Sequence, residues 1–355
     1  MSETELPTAD SSLNTSTNLT RYNASREALI IAYSSMLTMA LTPIIIGSIR
    51  SVAFHILVRE TGNQGNTDII TKKKAMLFPF YASGVLFSFY LIFKYLPPDL
   101  VNLLISLLFT WLGVVSMSFF IEKTIVNRGF TQSVLFNLFG TPITALTILS
   151  FVFSGLFGGW YFMEKHWVAN NLFGLTLATS AIETIPIQSV SVASIMMGGL
   201  FIYDIFWVFG TDVMVTVAKS FDAPIKLMFP LDFIDIGFAG KSHTMLGLGD
   251  IVVPGLLIAM FCRFDHSLKP GSKFYFYTSL ISYILGMVVT IFVLTTFQAA
   301  QPALLYLVPA CLGIPLMTAF LCGDLGALLK YEDYDEEELE GNKEELKISD
   351  PKKDE

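Results

Sequence analysis

Two aspartates stand where a carboxylate is costly. Asp204 lies in "GGLFIYDIFWVFG" and Asp250 in "TMLGLGDIVVPGLLIAMFCRF", both inside stretches apolar enough for lipid. A carboxylate near the centre of a membrane helix costs about 2.5–3.5 kcal/mol even on a lenient insertion scale. Two carboxyls held close together cannot easily both ionise, so one keeps its proton and the pair shares it. The ionised member can take a proton from water while the protonated member hydrogen-bonds a scissile carbonyl. That is amide hydrolysis with neither metal nor covalent intermediate. The same acids could also form a polar helix contact or the proton relay of a transporter, and on the acids alone those readings stay open.

The neighbouring residues favour a cavity. Gly247 and Gly249 lack a Cβ, so a backbone or a substrate can approach Asp250 closely and the helix start can loosen. Pro254 has no N–H, which deprives the Asp250 carbonyl four residues earlier of its helical donor. Irregular backbone at membrane depth is tolerated where it lines water or protein. A third element, "QAAQPALLYLVPACLG", opens with Pro302 near a first helical position, where the missing N–H does no harm.

These residues need membrane helices to position them. Of 355 residues 53% are hydrophobic and only 15% charged, against roughly 25% charged in a soluble domain. The apolar runs predict nine spans, about 28–49, 76–96, 100–121, 143–163, 167–184, 189–211, 245–264, 275–297 and 302–323, each near the ~20 residues that cross a bilayer. The longest internal connection, Asp212–Thr244, joins the two acid-bearing spans. Asp204 should then lie about seven residues, roughly 10 Å, from that end of its span. Asp250 should lie about five residues, roughly 8 Å, in from the start of its own. Similar depth on antiparallel neighbours is what a facing pair requires. Lys94, Glu183 and Asp212 fall near span ends, where snorkelling or hydration removes most of their cost.

Two signals give one topology. Asn14, Asn18 and Asn23 each begin an N-x-[ST] sequon, which places residues 1–27 in the lumen as a glycosylatable tail with no signal peptide pattern. Basic residues such as Arg50, Arg59, Lys72, Lys73, Lys74, Lys123 and Arg128 concentrate in the connections that this orientation makes cytosolic. Residues 324–355 then form an acidic cytosolic tail. It contains "YEDYDEEELE", the main source of the net charge of −8, and closes on Lys352-Lys353-Asp354-Glu355, its lysines placed as in a dilysine retrieval signal. Nothing in this balance suggests nucleic acid.

Other chemistries find little footing. His55, His166, His243 and His266 lack metal-ligand spacing, so neither metal nor cofactor is expected. Cys311 and Cys322 would lie about 16 Å apart on one helix, too far for a disulfide. There is no H-E-x-x-H and no G-x-S-G. "GFAGKS", Gly237–Ser242, fails as a phosphate loop because Asp235 stands where its first glycine belongs.

Tyr203-Asp204, Gly247-Leu248-Gly249-Asp250 and Pro302-Ala303-Leu304, in this order on three late spans, resemble the YD, GxGD and PAL signature of the presenilin-type intramembrane aspartyl proteases. The resemblance covers nearly the whole chain and is closest to the signal peptide peptidase branch. It implies an all-α polytopic membrane fold of about nine transmembrane helices. It makes Asp204 and Asp250 the catalytic dyad, with Tyr203, Gly247, Leu248 and Gly249 shaping the site. Pro302, Ala303 and Leu304 would contact the site or the substrate. The connection between the acid-bearing spans is too short for presenilin's self-cleaved loop, which implies activity as one uncut chain. The implied substrates are transmembrane peptides: leftover signal peptides and some type II or tail-anchored proteins of the endoplasmic reticulum membrane. Homo-oligomers and quality-control partners within the bilayer are implied too. The competing readings are a proton-coupled transporter, for which no inverted repeat with matching interruptions is found, and a non-enzymatic scaffold for misfolded membrane proteins.

Overall fold

A computed structural model describes residues 25–60, 69–129, 134–138, 141–211, 225–240, 242–269, 271–297 and 301–333. The sequons at Asn14, Asn18 and Asn23, together with Asp212, Lys352 and Lys353, lie outside the described residues. Among the described residues nine long helices dominate: α1 (Arg26–Glu60), α2 (Lys72–Tyr95), α3 (Pro98–Val126), α4 (Ala145–Glu164), α5 (Trp167–Thr184), α6 (Val190–Phe209), α8 (Gly249–Leu268), α9 (Phe274–Phe297) and α10 (Leu304–Cys322). Between α3 and α4 lies an antiparallel pair, β1 (Val134–Leu138) and β2 (Thr141–Thr144). A second pair, β3 (Lys226–Pro230) and β4 (His243–Gly247), precedes α8, with the short α7 (Phe233–Ile236) between its strands. The six-residue α11 (Leu325–Lys330) follows α10.

Among the described residues, eight helices are long and apolar enough to cross a membrane. The exception is α5. Its 18 residues reach about 27 Å at 1.5 Å per residue, but Asn170, Asn171, Thr176, Thr179 and Glu183 interrupt its apolarity. All five are buried. An apolar surface is needed only where a helix meets lipid, and α5 is enclosed by α1, α3, α8 and β3. Small residues let these neighbours close on it. A Cβ on Gly47 of α1 would come within 2.8 Å of Ile182, and one on Gly113 of α3 within 2.7 Å of Phe173.

Glu183 behaves differently from the expectation of a hydrated span end. It is 6% exposed and pairs with Lys123 of α3 and, at 3.9 Å, with Arg50 of α1. Pairing across three helices replaces hydration. Helix α1 also outruns its expected end at 49, since nothing breaks the helix before Glu60. Burial is graded across the bundle. Of α8's most apolar window 72% is buried, and of α2's none, so α8 is a central helix and α2 a peripheral one.

Candidate active site

Asp204 occupies the late part of α6 and is 5% exposed. Its Oδ2 accepts a hydrogen bond from the Leu304 backbone N–H at 3.1 Å. Leu304 is the first residue of α10, so its N–H has no carbonyl within its own helix. A carboxylate at a helix N-terminus satisfies that donor and meets the positive end of the helix dipole. The Leu305 N–H reaches the Pro302 carbonyl, and those of Tyr306 and Leu307 reach the Ala303 carbonyl. Pro302-Ala303-Leu304 thus builds a helix start whose Leu304 donor is aimed at Asp204.

The other acid sits on a different kind of element. The sequence predicts one span over 245–264 with Asp250 about five residues inside it. Instead residues 243–247 are strand β4, Leu248 is the N-cap, and Asp250 is the second residue of α8. The apolar count misread this stretch because β4 has no lipid-facing requirement: it pairs with β3 from the connection between α6 and α8. Gly249 has open space where a Cβ would be. A Cβ on Gly247 would lie 3.4 Å from Asp250 Oδ2, an ordinary contact. Crowding within the chain therefore requires neither glycine, and the open space beside them is room for something from outside it.

The β3–β4 sheet has an informative register. Met228 lies opposite Met245, and Lys226 opposite Gly247. Met228 directs its backbone away from β4, to Asn171 of α5: the Asn171 Nδ2 donates to the Met228 carbonyl at 2.6 Å, and the Met228 N–H donates to Asn171 Oδ1 at 2.8 Å. Asn170 Nδ2 donates to the Lys226 carbonyl at 2.6 Å. A side-chain amide has the donor and acceptor of a peptide group, so the two asparagines act as a third strand on that edge. The Leu248 N–H reaches the Ile225 carbonyl and the Leu231 N–H reaches the Ser242 carbonyl. By antiparallel alternation, Met245 and Gly247 then turn their backbone groups to the opposite edge, which pairs with no strand among the described residues.

That edge borders a cavity of about 170 Å³. Asp250 opens onto it together with Met245, Gly247 and Ala303, and its apolar walls include Met36 of α1 and Met287 and Ile291 of α9. Asp250 is half-buried, and no described residue donates a hydrogen bond to its carboxylate. Leu304, whose N–H meets Asp204, directly follows Ala303, which shares the cavity wall with Asp250. Tyr203 packs beside Trp207, ring centroids 6.4 Å apart, on the face of α6 next to Asp204. Leu248 lies over Gly174 of α5, whose Cβ position is 3.4 Å from its Cδ2.

The structure therefore brings Asp204, Asp250, Gly247 and Ala303–Leu304 to one end of the bundle, with Tyr203 and Leu248 as packing around them. Asn170 and Asn171, which hold the sheet, escaped the sequence reading. Two adjacent amides in an apolar run were the available signal, since buried amides must find partners. Among the described residues no cluster of His, Cys, Asp and Glu could hold a metal.

A family model described as signal peptide peptidase matches residues 62–335, which include all three motifs. Signal peptide peptidase of Mus musculus is 43% identical over 330 residues, covering 88% of this chain and 86% of that protein. Signal peptide peptidase of Homo sapiens is 43% identical over 331 residues, with the same shares. A probable intramembrane protease of Schizosaccharomyces pombe is 36% identical over 280 residues, covering 77% of this chain and 87% of that protein. With its apolar helices and intramembrane carboxylates, the chain belongs to the signal peptide peptidase family and is a multi-pass intramembrane aspartic protease.

Proposed function

We propose that Asp204 and Asp250 are the catalytic dyad and that the chain hydrolyses peptide bonds within transmembrane segments. The observation that supports this reading is that Asp204 holds the Leu304 N–H while Asp250 lines a cavity with the adjacent Ala303, beside the outer edge of β4. The dyad shares one proton. One carboxylate takes a proton from a water as that water attacks the scissile carbonyl, and the other donates to the carbonyl oxygen. The proton then returns to the leaving nitrogen. Apparent acidities belong to the pair rather than to either residue.

A peptide bond inside a helix is shielded by its own hydrogen bonds, so the substrate unwinds before it is cut. The edge of β4 supplies what an unwound segment needs. The N–H and carbonyl groups of Met245 and Gly247 pair with an extended backbone, which compensates for the helical bonds lost in a medium without water. The cavity beside Asp250 then receives a side chain of that strand.

The substrates proposed are leftover signal peptides and some type II or tail-anchored proteins of the endoplasmic reticulum membrane. The relatives named signal peptide peptidase support the first class. The sequons and the basic connections support a luminal N-terminus, a protease domain over 28–323 and a cytosolic acidic tail. The chain works without cofactor, as a homo-oligomer serving membrane-protein quality control. Cleavage of a synthetic signal peptide by the purified chain, lost in Asp204→Asn, Asp250→Asn and Asp250→Ala variants that remain folded, tests the dyad. Full activity in any of the three refutes it. Labelling by a transition-state analogue of aspartic proteases, competed by a peptidic inhibitor, separates this reading from a proton-coupled transporter.

A further inference from the structure

The two aspartate-bearing helices barely touch. Helix α6 packs chiefly on α2 and α10, and α8 chiefly on α1 and α9, with only a short direct contact between α6 and α8. Something else must fix their relative placement. At the dyad end α10 does so, through Leu304 and Asp204. At the opposite end the chain beyond α11 returns to the bundle and joins both helices.

Arg263, near the end of α8, is 4% exposed, and its Nε donates to Asp333 Oδ2 at 2.7 Å. Its Nη1 donates to Ser51 Oγ of α1 at 3.1 Å. Asp333 is 1% exposed and also accepts from the Tyr331 hydroxyl. The Tyr331 ring stands edge-on to Phe264 of α8, centroids 5.2 Å apart. The same short segment binds the residues that lead into α6. The Asp333 N–H donates to the Gln188 carbonyl at 2.8 Å, and Glu332 bridges Ser189, the N-cap of α6, in antiparallel fashion. On the other side of Gln188 lies Ile70, which precedes α2. Three chain segments and α1, α6 and α8 thus meet at one buried ion pair.

We propose that Arg263 and Asp333 are positioning residues for proteolysis, and that Tyr331–Asp333 belongs to the catalytic unit rather than to the tail. The inference rests on the reading of Asp204 and Asp250 as the dyad. Arg263 is 13 residues from Asp250, roughly 20 Å along α8. A tilt of about 3° at the knot would move Asp250 by ~1 Å, and a misplacement of that size costs on the order of 100-fold in rate.

The test compares the purified wild type with a chain ending at Asp333, a chain ending at Lys330, and the double variant Arg263→Met/Asp333→Leu. The double variant leaves no lone buried charge, so it is expected to fold. Each is assayed on a synthetic signal peptide for kcat and KM, with the thermal midpoint measured alongside. The chain ending at Asp333 should stay within about twofold of wild type. The chain ending at Lys330 and the double variant should lose about 10- to 100-fold in kcat, with KM changed less than about threefold. The double variant should keep its thermal midpoint and provides the deciding readout if the shorter chain does not fold. Wild-type kcat in the double variant, a kcat loss that only tracks unfolding, or inactivity of the chain ending at Asp333 overturns the proposal. Wild-type cleavage, abolished by Asp250→Asn in the same assay, checks the underlying reading separately.

Discussion

The asparagine pair on α5 offers a sharp test of how the Asp250 end of the site is built. Asn171→Ala removes both of its hydrogen bonds to the β3 backbone at once, 2.6 Å to the Met228 carbonyl and 2.8 Å from its N–H, at a side chain that is 4% exposed. Each such bond contributes about 1 kcal/mol net, and an orphaned buried group costs about 1–3 kcal/mol. The expected loss is therefore about 2–4 kcal/mol. That exceeds the ~0.6 kcal/mol average for side-chain hydrogen bonds between membrane helices, because the deserted groups are backbone groups of a strand with no alternative partner. Asn170→Ala removes one bond to the β3 backbone and should cost about half as much. The consequence for function runs through the sheet. A loosened β3 releases β4, and β4 leads directly into Leu248 and Asp250. Thermal unfolding in detergent and kcat on a synthetic signal peptide measure the two effects. Asn171→Ala should lower the midpoint more than Asn170→Ala and reduce kcat about tenfold or more. An Asn171→Ala variant with the midpoint and kcat of wild type would show that α5 does not hold the sheet, and the account of the β4 edge would fall with it.

Three further outcomes follow from the same structure. Methylating single backbone nitrogens of a substrate near its cut should slow cleavage strongly at every second position and weakly between, since an edge strand pairs with alternate residues. A mass-spectrometric cleavage series reads this, and equal sensitivity at adjacent positions speaks against strand addition. Replacing the substrate's span by uniform leucine should suppress cleavage in the purified assay, because the helix then resists unwinding; undiminished cleavage refutes the need for unwinding. Glu183→Gln leaves Arg50 and Lys123 without their carboxylate, and because Lys123 is 43% exposed the loss should be modest, about 1–3 kcal/mol, read as a lower thermal midpoint with little change in KM.

What could be read from the sequence was whatever one helix decides alone. Lipid imposes a length and an apolarity on each helix that faces it, so eight of the expected spans correspond to apolar helices among the described residues. Asp204, Asp250 and Pro302–Leu304 announced themselves because polar or helix-breaking residues in such runs are exceptional. The rest depended on partners distant in the chain. Helix α5 passes as a span by length alone, since protein rather than lipid surrounds its polar residues. Strand β4 lies inside an apolar run and becomes a strand only because β3, seventeen residues back from Gly247 by its last residue Pro230, pairs with it under the hold of Asn170 and Asn171. Asp333 looks like one charge in an acidic tail until Arg263, seventy residues away, takes it into the core. Local composition sets which segments enter the membrane; the pairing of buried polar groups, which no segment can satisfy alone, decides how the elements that carry Asp204 and Asp250 are held.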